Sequence, residues 1–151
     1  QGFCFLITLG QIKSALRRKK LFDYLTEIEA TIETIISPLA YVAKSAQIGT
    51  GSIIMHNATI IASSKIGSNC IINTGSTIEH DAVVGNHCHI STHVIINGEC
   101  QIGNEVFVGS NSTISSQISI SDKIVIGAGT VVISSLSNQG VYVGNPSKLI
   151  K

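Results

Sequence analysis

The sequence carries little charge, and this restricts the partners it can bind. Only 13% of its 151 residues are Asp, Glu, Lys or Arg, and the formal net charge at pH 7 is +1. Recognition of nucleic acid depends on a basic surface that neutralises phosphates. We therefore expect no nucleic-acid partner.

Long hydrophobic runs are also missing. The longest, FCFLITL at residues 3–9, is much shorter than the roughly 20 residues that a membrane-spanning helix needs. No basic region precedes it and no small-residue cleavage site follows it, so it lacks the features of a signal peptide. These observations predict a cytoplasmic protein without a membrane span.

A six-residue repeat is the dominant feature of the sequence. From Ile48 every sixth residue is Ile or Val, and four residues after each of these positions the side chain is mostly small. The aliphatic positions are Ile48, Ile54, Ile60, Ile66, Ile72, Ile78, Val84, Ile90, Ile96, Ile102, Val108, Ile114, Ile120, Ile126 and Val132. An α-helix would spread this row around its surface, whereas a parallel β-helix holds the row on one buried side.

Glycines mark a longer period of eighteen residues. Gly49, Gly67, Gly85 and Gly103 are each separated by three hexads. One coil therefore consists of three short strands and three corners, and the coils bury their apolar rows by stacking on one another. Cys70, Cys88 and Cys100 fall in the small inward position, which predicts buried free thiols.

The hexads divide the chain into three segments. Residues 1–38 are predicted to be a partial α/β unit, with a buried strand at 3–9, a helix at 11–30 and a strand at 31–37. Residues 39–139 form the β-helix, and residues 140–151 form a C-terminal strand and tail. No strand followed by GxGxxG occurs, so a phosphate cradle cannot be placed. The basic run at residues 17–20 is predicted to be a solvated helix face.

The segments IINTGSTIEHDAVVG (71–85) and VYVGNPSK (141–148) resemble the hexapeptide-repeat acyltransferases. Within that superfamily they are similar to sialic-acid O-acetyltransferases and bacillosamine-type sugar N-acetyltransferases. The resemblance implies a left-handed parallel β-helix, preceded by the remnant of a Rossmann-like domain. It also implies acetyl-CoA as co-substrate, a sugar nucleotide as acceptor, and a homotrimer with its active site between protomers.

His80 is the candidate general base. It lies two residues after an aliphatic position, where side chains face outward, and Gly98 occupies the same place one coil on. This arrangement predicts open space and an accessible amide beside the imidazole, which would suit a carbonyl substrate. The flanking residues Glu79 and Asp81 are carboxylates, and one of them can accept a hydrogen bond from the ring and fix its tautomer. The resemblance favours Asp81, because the matching position in similar enzymes is acidic.

Other candidate residues rest on the resemblance. His89 matches a position that contacts acetyl-CoA, and Asn73 matches an active-site position that would hold the substrate. Ser110, Gly127 and Ala128 match positions that line the pantetheine channel, which would bind acetyl-CoA together with Gly98. Since nine residues are half a coil, His80 and His89 should lie on different faces and meet only across a subunit interface.

Metal binding is not predicted, because the His-x4-His spacing of β-helix carbonic anhydrases is absent. The predicted function is acetyl transfer from acetyl-CoA to the amino group of a nucleotide-linked amino-deoxy sugar, for glycan or surface polysaccharide synthesis. Two alternatives are O-acetylation of a sialic-acid-like sugar and a non-catalytic β-helix that serves as a scaffold or ligand-binding module.

Overall fold

The protein is a triangular β-helix with a small βαβ unit packed on its side. Its structure is a computed structural model that describes residues 3–151. Strands of mostly two residues alternate with corners, and successive strands run along three faces in turn. From Ile35 to Val132 each strand pairs in parallel with the strand eighteen residues away, as in the pairing of Thr77 with Ile95.

We name the three faces by their size. The large face contains β3 (Ile35–Ile36), β6 (Ile53–Ile54), β9 (Ile71–Ile72), β12 (His89–Ile90), β15 (Phe107–Val108), β18 (Val125–Ile126), β20 (Val141–Val143) and β21 (Lys148–Leu149). The middle face contains β4 (Tyr41–Val42), β7 (Thr59–Ile60), β10 (Thr77–Ile78), β13 (Ile95–Ile96), β16 (Thr113–Ile114) and β19 (Val131–Val132). The small face contains β5 (Gln47–Ile48), β8 (Lys65–Ile66), β11 (Val83–Val84), β14 (Gln101–Ile102) and β17 (Ser119–Ile120).

The predicted aliphatic row forms the core. From Ile54 to Val132 its members are at most 4% exposed, and the residues four places after them are at most 7% exposed. Cys70, Cys88 and Cys100 are buried and free, as predicted. Serine side chains in the row of small residues form hydrogen bonds with the backbone of the next coil. The Ser76 hydroxyl, for example, donates to the Ser91 carbonyl at 2.7 Å.

The corners explain the glycine period. A Cβ at Gly49 would lie 2.6 Å from the backbone carbonyl carbon of Gly67, and one at Gly85 would lie 2.7 Å from that of Gly103. Successive corners of this column therefore approach too closely for any side chain. A second regularity is a left-handed backbone at the third place of the corner, where Asp81 has a φ of 59°. Asp and Asn tolerate this conformation better than most residues.

The N-terminal unit differs from its prediction. Residues 3–9 contain only the exposed two-residue strand β1 (Cys4–Phe5), the helix α1 is Leu16–Glu27 rather than 11–30, and the segment 31–37 splits into β2 (Thr31–Ile32) and β3. Strand β1 pairs in parallel with β2, so these two strands and α1 form a βαβ crossover. The split has a simple cause, since β2 belongs to the two-stranded sheet and β3 already stacks on β6 of the β-helix.

The helix lies along the side of the prism. Its Phe22 ring packs edge-on against His87 at 5.5 Å between centroids, and Lys19 reaches Glu105 at 3.8 Å. The prediction of a fully solvated basic run is wrong at one position, because Arg18 is 1% exposed. Only Leu25 and Arg18 are buried within α1.

Pairing on the large face begins at Ile35, four residues before the predicted start of the β-helix segment at residue 39. At the other end β20 adds to β18 in parallel, and β21 adds to β20 in antiparallel orientation. The C-terminal segment thus extends the large face.

No helix within residues 3–151 is long and apolar enough to cross a membrane.

Candidate active site

His80 and Asp81 form a hydrogen-bonded pair at the corner between the middle and small faces. The distance from His80 Nδ1 to Asp81 Oδ2 is 2.9 Å, and both side chains are more than half exposed. Because a carboxylate can only accept, the proton lies on Nδ1 and Nε2 is left with a free lone pair. The pair has the arrangement of a general base with an orienting carboxylate.

Charge around His80 favours its protonated form. The hydrogen bond to Asp81 is the main cause that raises the pKa of His80, and the charges of Glu79 and Glu99 act in the same direction. The base would therefore act as the neutral imidazole only at somewhat higher pH than an isolated histidine.

Gly98 does lie against His80, but the space between them is not open as the sequence predicted. A Cβ on Gly98 would lie 2.6 Å from His80 Nε2, so the imidazole itself covers the glycine, which is buried. The φ of Gly98 is not among the positive values, so an amino acid with a side chain could adopt the same backbone conformation at this position. Within residues 3–151 no acceptor takes the Gly98 N–H.

The other candidates lie at a different corner, between the large and middle faces. Asn73 follows β9, Ser110 follows β15, and Gly127 and Ala128 follow β18, so the four residues belong to one side of the prism. The Ser110 hydroxyl is 2.9 Å from that of Ser91. A Cβ on Gly127 would meet the Val143 side chain at 2.7 Å, because β20 covers this corner.

His89 begins β12 on the large face and is held by the N-terminal unit. Its Nδ1 lies 2.9 Å from the backbone oxygen of Gln11, while Nε2 is buried and has no hydrogen-bond partner within residues 3–151. Burial is the main cause that lowers the pKa of His89, and the positive charge of Arg18 lowers it further. The lowered pKa favours the neutral form of His89, whereas the raised pKa of His80 favours its protonated form.

A pocket of about 430 Å³ brings His89 and Asn73 together beneath the N-terminal segment. Most of its wall is apolar, with polar groups at a few points. It is lined by Leu6, Thr8, Gly10, Ile35, Ile53, Met55, Ile71, Asn73 and His89. Sequence reasoning missed this pocket, because no periodicity indicates where residues 6–10 pack on the β-helix.

Within one chain, the structure thus places the candidate residues in two groups. His80, Asp81 and Gly98 lie at one corner, and the remaining candidates lie on or beside the large face. Within residues 3–151 no three or more His, Cys, Asp or Glu residues are arranged to hold a metal ion.

Sequence comparisons identify the repeat. Residues 63–98 match the bacterial transferase hexapeptide family (six repeats), and residues 100–134 match the hexapeptide repeat of succinyl-transferase. No curated protein sequence matches the chain significantly.

Solved structures match over nearly the whole chain. The acetyltransferase domain of PglB from Neisseria gonorrhoeae is 27% identical with a TM-score of 0.89, covering 92% of this chain and 68% of that one. PerB from Caulobacter crescentus, solved with CoA and GDP-perosamine, is 29% identical with a TM-score of 0.89, covering 93% and 68%. WeeI from Acinetobacter baumannii, at 22% identity and a TM-score of 0.85 over 95% and 74%, shares the fold.

Fold and repeat together place the protein among the left-handed parallel β-helix proteins built from hexapeptide repeats. The repeat models and the similarity to the PglB and PerB acetyltransferases, over about two thirds of their length, support an acyltransferase.

The contact between Gly98 and His80 gives a first prediction. In Gly98→Ala the new methyl group would occupy the place of the imidazole. The ring can rotate away, so we expect an unchanged melting temperature with acyl transfer reduced about 10- to 100-fold by displacement of the base. Thermal melting and steady-state kinetics measure the two effects separately.

Gly85→Ala is the matched control, because its methyl group would meet backbone instead of a side chain. It should lose about 1–3 kcal/mol of stability without a specific effect on the rate. Full activity in a folded Gly98→Ala protein would show that the ring position over Gly98 has no role.

The environment of His80 gives a second prediction, on pH dependence. A base acts when unprotonated, so a raised pKa moves the acid limb of the kcat/KM profile above the ordinary value of 6.5. Asp81→Asn removes the negative charge, and we expect the acid limb to move to lower pH. Glu27→Gln, a carboxylate change on α1, should leave the limb in place. An unmoved limb in Asp81→Asn would mean that another group controls it.

Proposed function

We propose that the protein transfers the acetyl group of acetyl-CoA to the amino group of a nucleotide-linked amino-deoxy sugar, for glycan or surface polysaccharide synthesis. The observation that carries the proposal is the His80–Asp81 pair at 2.9 Å, with the ring against Gly98. The comparisons support the substrates, since PerB was solved with CoA and GDP-perosamine and the PglB domain with acetyl coenzyme A.

The proposed reaction is a direct transfer. The sugar nitrogen attacks the thioester carbonyl carbon while His80 Nε2 takes a proton from that nitrogen, and Asp81 stabilises the resulting imidazolium. The carbon–sulfur bond then breaks, and the proton passes to the sulfur of the departing CoA. The Gly98 N–H, which no acceptor in residues 3–151 takes, is proposed to stabilise the oxyanion while the ring keeps its place beside Gly98.

A covalent acyl-enzyme has no support in this structure. Cys70, Cys88 and Cys100 are buried in the core, where an acyl group could not reach them. Burial also raises the pKa of Cys88 and Cys100, which opposes formation of a nucleophilic thiolate. Burial acts in the same direction on Cys70, but its contacts with Cys88 and the charge of Arg18 lower its pKa overall, so this thiol is excluded by its burial alone.

The two alternatives are weaker. O-acetylation of a sialic-acid-like sugar could use the same base, but PerB, which was solved with a sugar nucleotide, is an N-acetyltransferase. A non-catalytic scaffold would have no need of a carboxylate-oriented histidine at an exposed corner.

Loss of the base gives the third prediction. His80→Ala should lower turnover about 10²–10⁴-fold, the range for losing a general base, while the melting temperature stays unchanged because the side chain is exposed. Release of CoA from acetyl-CoA with GDP-perosamine and a panel of UDP- and GDP-linked 4-amino sugars measures the rate.

Lys123→Ala is a suitable control, because its exposed side chain lies at the corner between the small and large faces, away from both groups of candidate residues. Wild-type turnover by His80→Ala on an accepted sugar would refute the assignment. Acetylation of free sialic acids, with no activity on amino sugars, would favour the O-acetyl alternative.

We also propose a homotrimer whose active site lies between protomers. His80 lies at the corner between the middle and small faces, whereas Asn73 and His89 border a pocket on the large face. Side-by-side packing of β-helices would bring one protomer's corner to its neighbour's large face. A closed ring of three identical contacts would then contain three equivalent sites.

Complementation gives the fourth prediction. Co-expressed His80→Ala and His89→Ala chains should regain about one quarter of wild-type activity. In randomly assembled trimers, about one interface in four joins a chain that keeps His80 to a neighbour that keeps His89. Each variant alone should be weakly active, and light scattering should give the mass of a trimer. Absence of any recovery in mixed trimers would place the whole site within one chain.

A further inference from the structure

Arg18 is a buried cation with an unusual set of partners. It is 1% exposed, and no carboxylate within residues 3–151 pairs with it. A buried charge is costly unless its donors are satisfied. The donors of Arg18 go mainly to one oxygen, since Nε and Nη2 lie 3.1 and 2.8 Å from Gln11 Oε1, and Nη2 also donates to the Cys88 carbonyl at 3.1 Å.

Gln11 connects this cation to the large face. Its side chain is buried, and its Nε2 donates to the His87 carbonyl at 2.8 Å. Its backbone oxygen lies 2.9 Å from His89 Nδ1. Arg18 therefore fixes the side chain of Gln11, and the backbone of Gln11 contacts the imidazole of His89.

The contact determines the tautomer of His89. A carbonyl oxygen can only accept, so a distance of 2.9 Å requires the proton on Nδ1. The competing contact, from the Gln11 N–H to Nδ1, is longer at 3.4 Å and weaker for that reason. Nε2 then holds a lone pair, and this atom is buried without a partner beside the pocket that also contains Asn73.

We propose that Arg18, acting through Gln11, is a positioning residue that holds His89 as the Nδ1–H tautomer, so that Nε2 accepts a hydrogen bond from an uncharged N–H or O–H group of a ligand in this pocket. An unpartnered buried acceptor is costly in the free protein, and a ligand donor would relieve that cost. The ligand would be acetyl-CoA or the sugar, and to that extent the inference rests on the proposed function.

The test reads the tautomer directly. Nitrogen NMR of histidine-labelled protein distinguishes Nδ1–H from Nε2–H, and the His89 signals are assigned by their loss in His89→Gln. We expect a single Nδ1–H form in the wild type. Arg18→Met should release Gln11 and give a mixture of tautomers or the Nε2–H form. Arg17→Met, the exposed neighbour on α1, should leave the signals unchanged.

Kinetics give a second readout. Arg18→Met should lower kcat/KM about 10- to 100-fold through misplacement of His89, mainly through KM, while the acid limb that reports His80 stays in place. If Arg18→Met does not fold, Gln11→Met removes the same acceptor and takes its place in both measurements.

The outcomes separate this inference from the proposed function. An Nε2–H form in the wild type, or an unchanged Nδ1–H form in a folded variant that has lost activity, would overturn the positioning role. If no sugar is acetylated, the proposed function fails, while the NMR comparison still decides the role of Arg18.

Discussion

Parallel stacking at an interval of eighteen residues is the constraint on which the rest of the structure depends. Each strand must lie about 4.8 Å from the next in the hydrogen-bonding direction, so residues eighteen apart are in contact all along the chain. An interior of this shape has room for one branched aliphatic and one small residue per strand, which accounts for the buried rows from Ile54 to Val132. Where two corners approach more closely still, as at Gly67 and Gly85, a Cβ has no space.

The same constraint places the chemistry. Since the interior is filled by the two rows, functional side chains are confined to corners and outer faces, and each is neighboured by the residue one coil away. His80 is able to lie flat against the prism because its neighbour is Gly98. The left-handed backbone at Asp81 in turn brings the carboxylate to Nδ1. The arrangement of His80 and Asp81 thus depends on the backbone conformation of the corner, which recurs at other corners of the β-helix with other residues.

The features of the fold and of the candidate site that could be predicted from the sequence are those that follow from the six- and eighteen-residue repeats. The core rows, the buried cysteines, the contact of His80 with Gly98 and the separation of His80 from His89 are all matters of counting in sixes and eighteens. The N-terminal unit has no such period. The apolar residues of the helix predicted at 11–30 include Leu16 and Ile28, which are exposed, and no sequence signal indicated that Arg18 would be buried. Contacts such as those of Gln11 with His87 and His89 depend on how the helix docks, which local sequence does not specify.

The two histidines illustrate how one fold gives the same residue opposite properties. His80 is exposed among carboxylates, and its pKa is raised mainly by Asp81. His89 is partly buried near the charge of Arg18, and its pKa is lowered mainly by burial. Divergent environments of this kind commonly mark different roles in a reaction. The first histidine is suited to take up a proton and hold it beside a carboxylate, whereas the second is suited to remain neutral and accept a hydrogen bond. Arg18, which pairs with no carboxylate within residues 3–151, adds the effect of its positive charge to that of burial in lowering the pKa of His89.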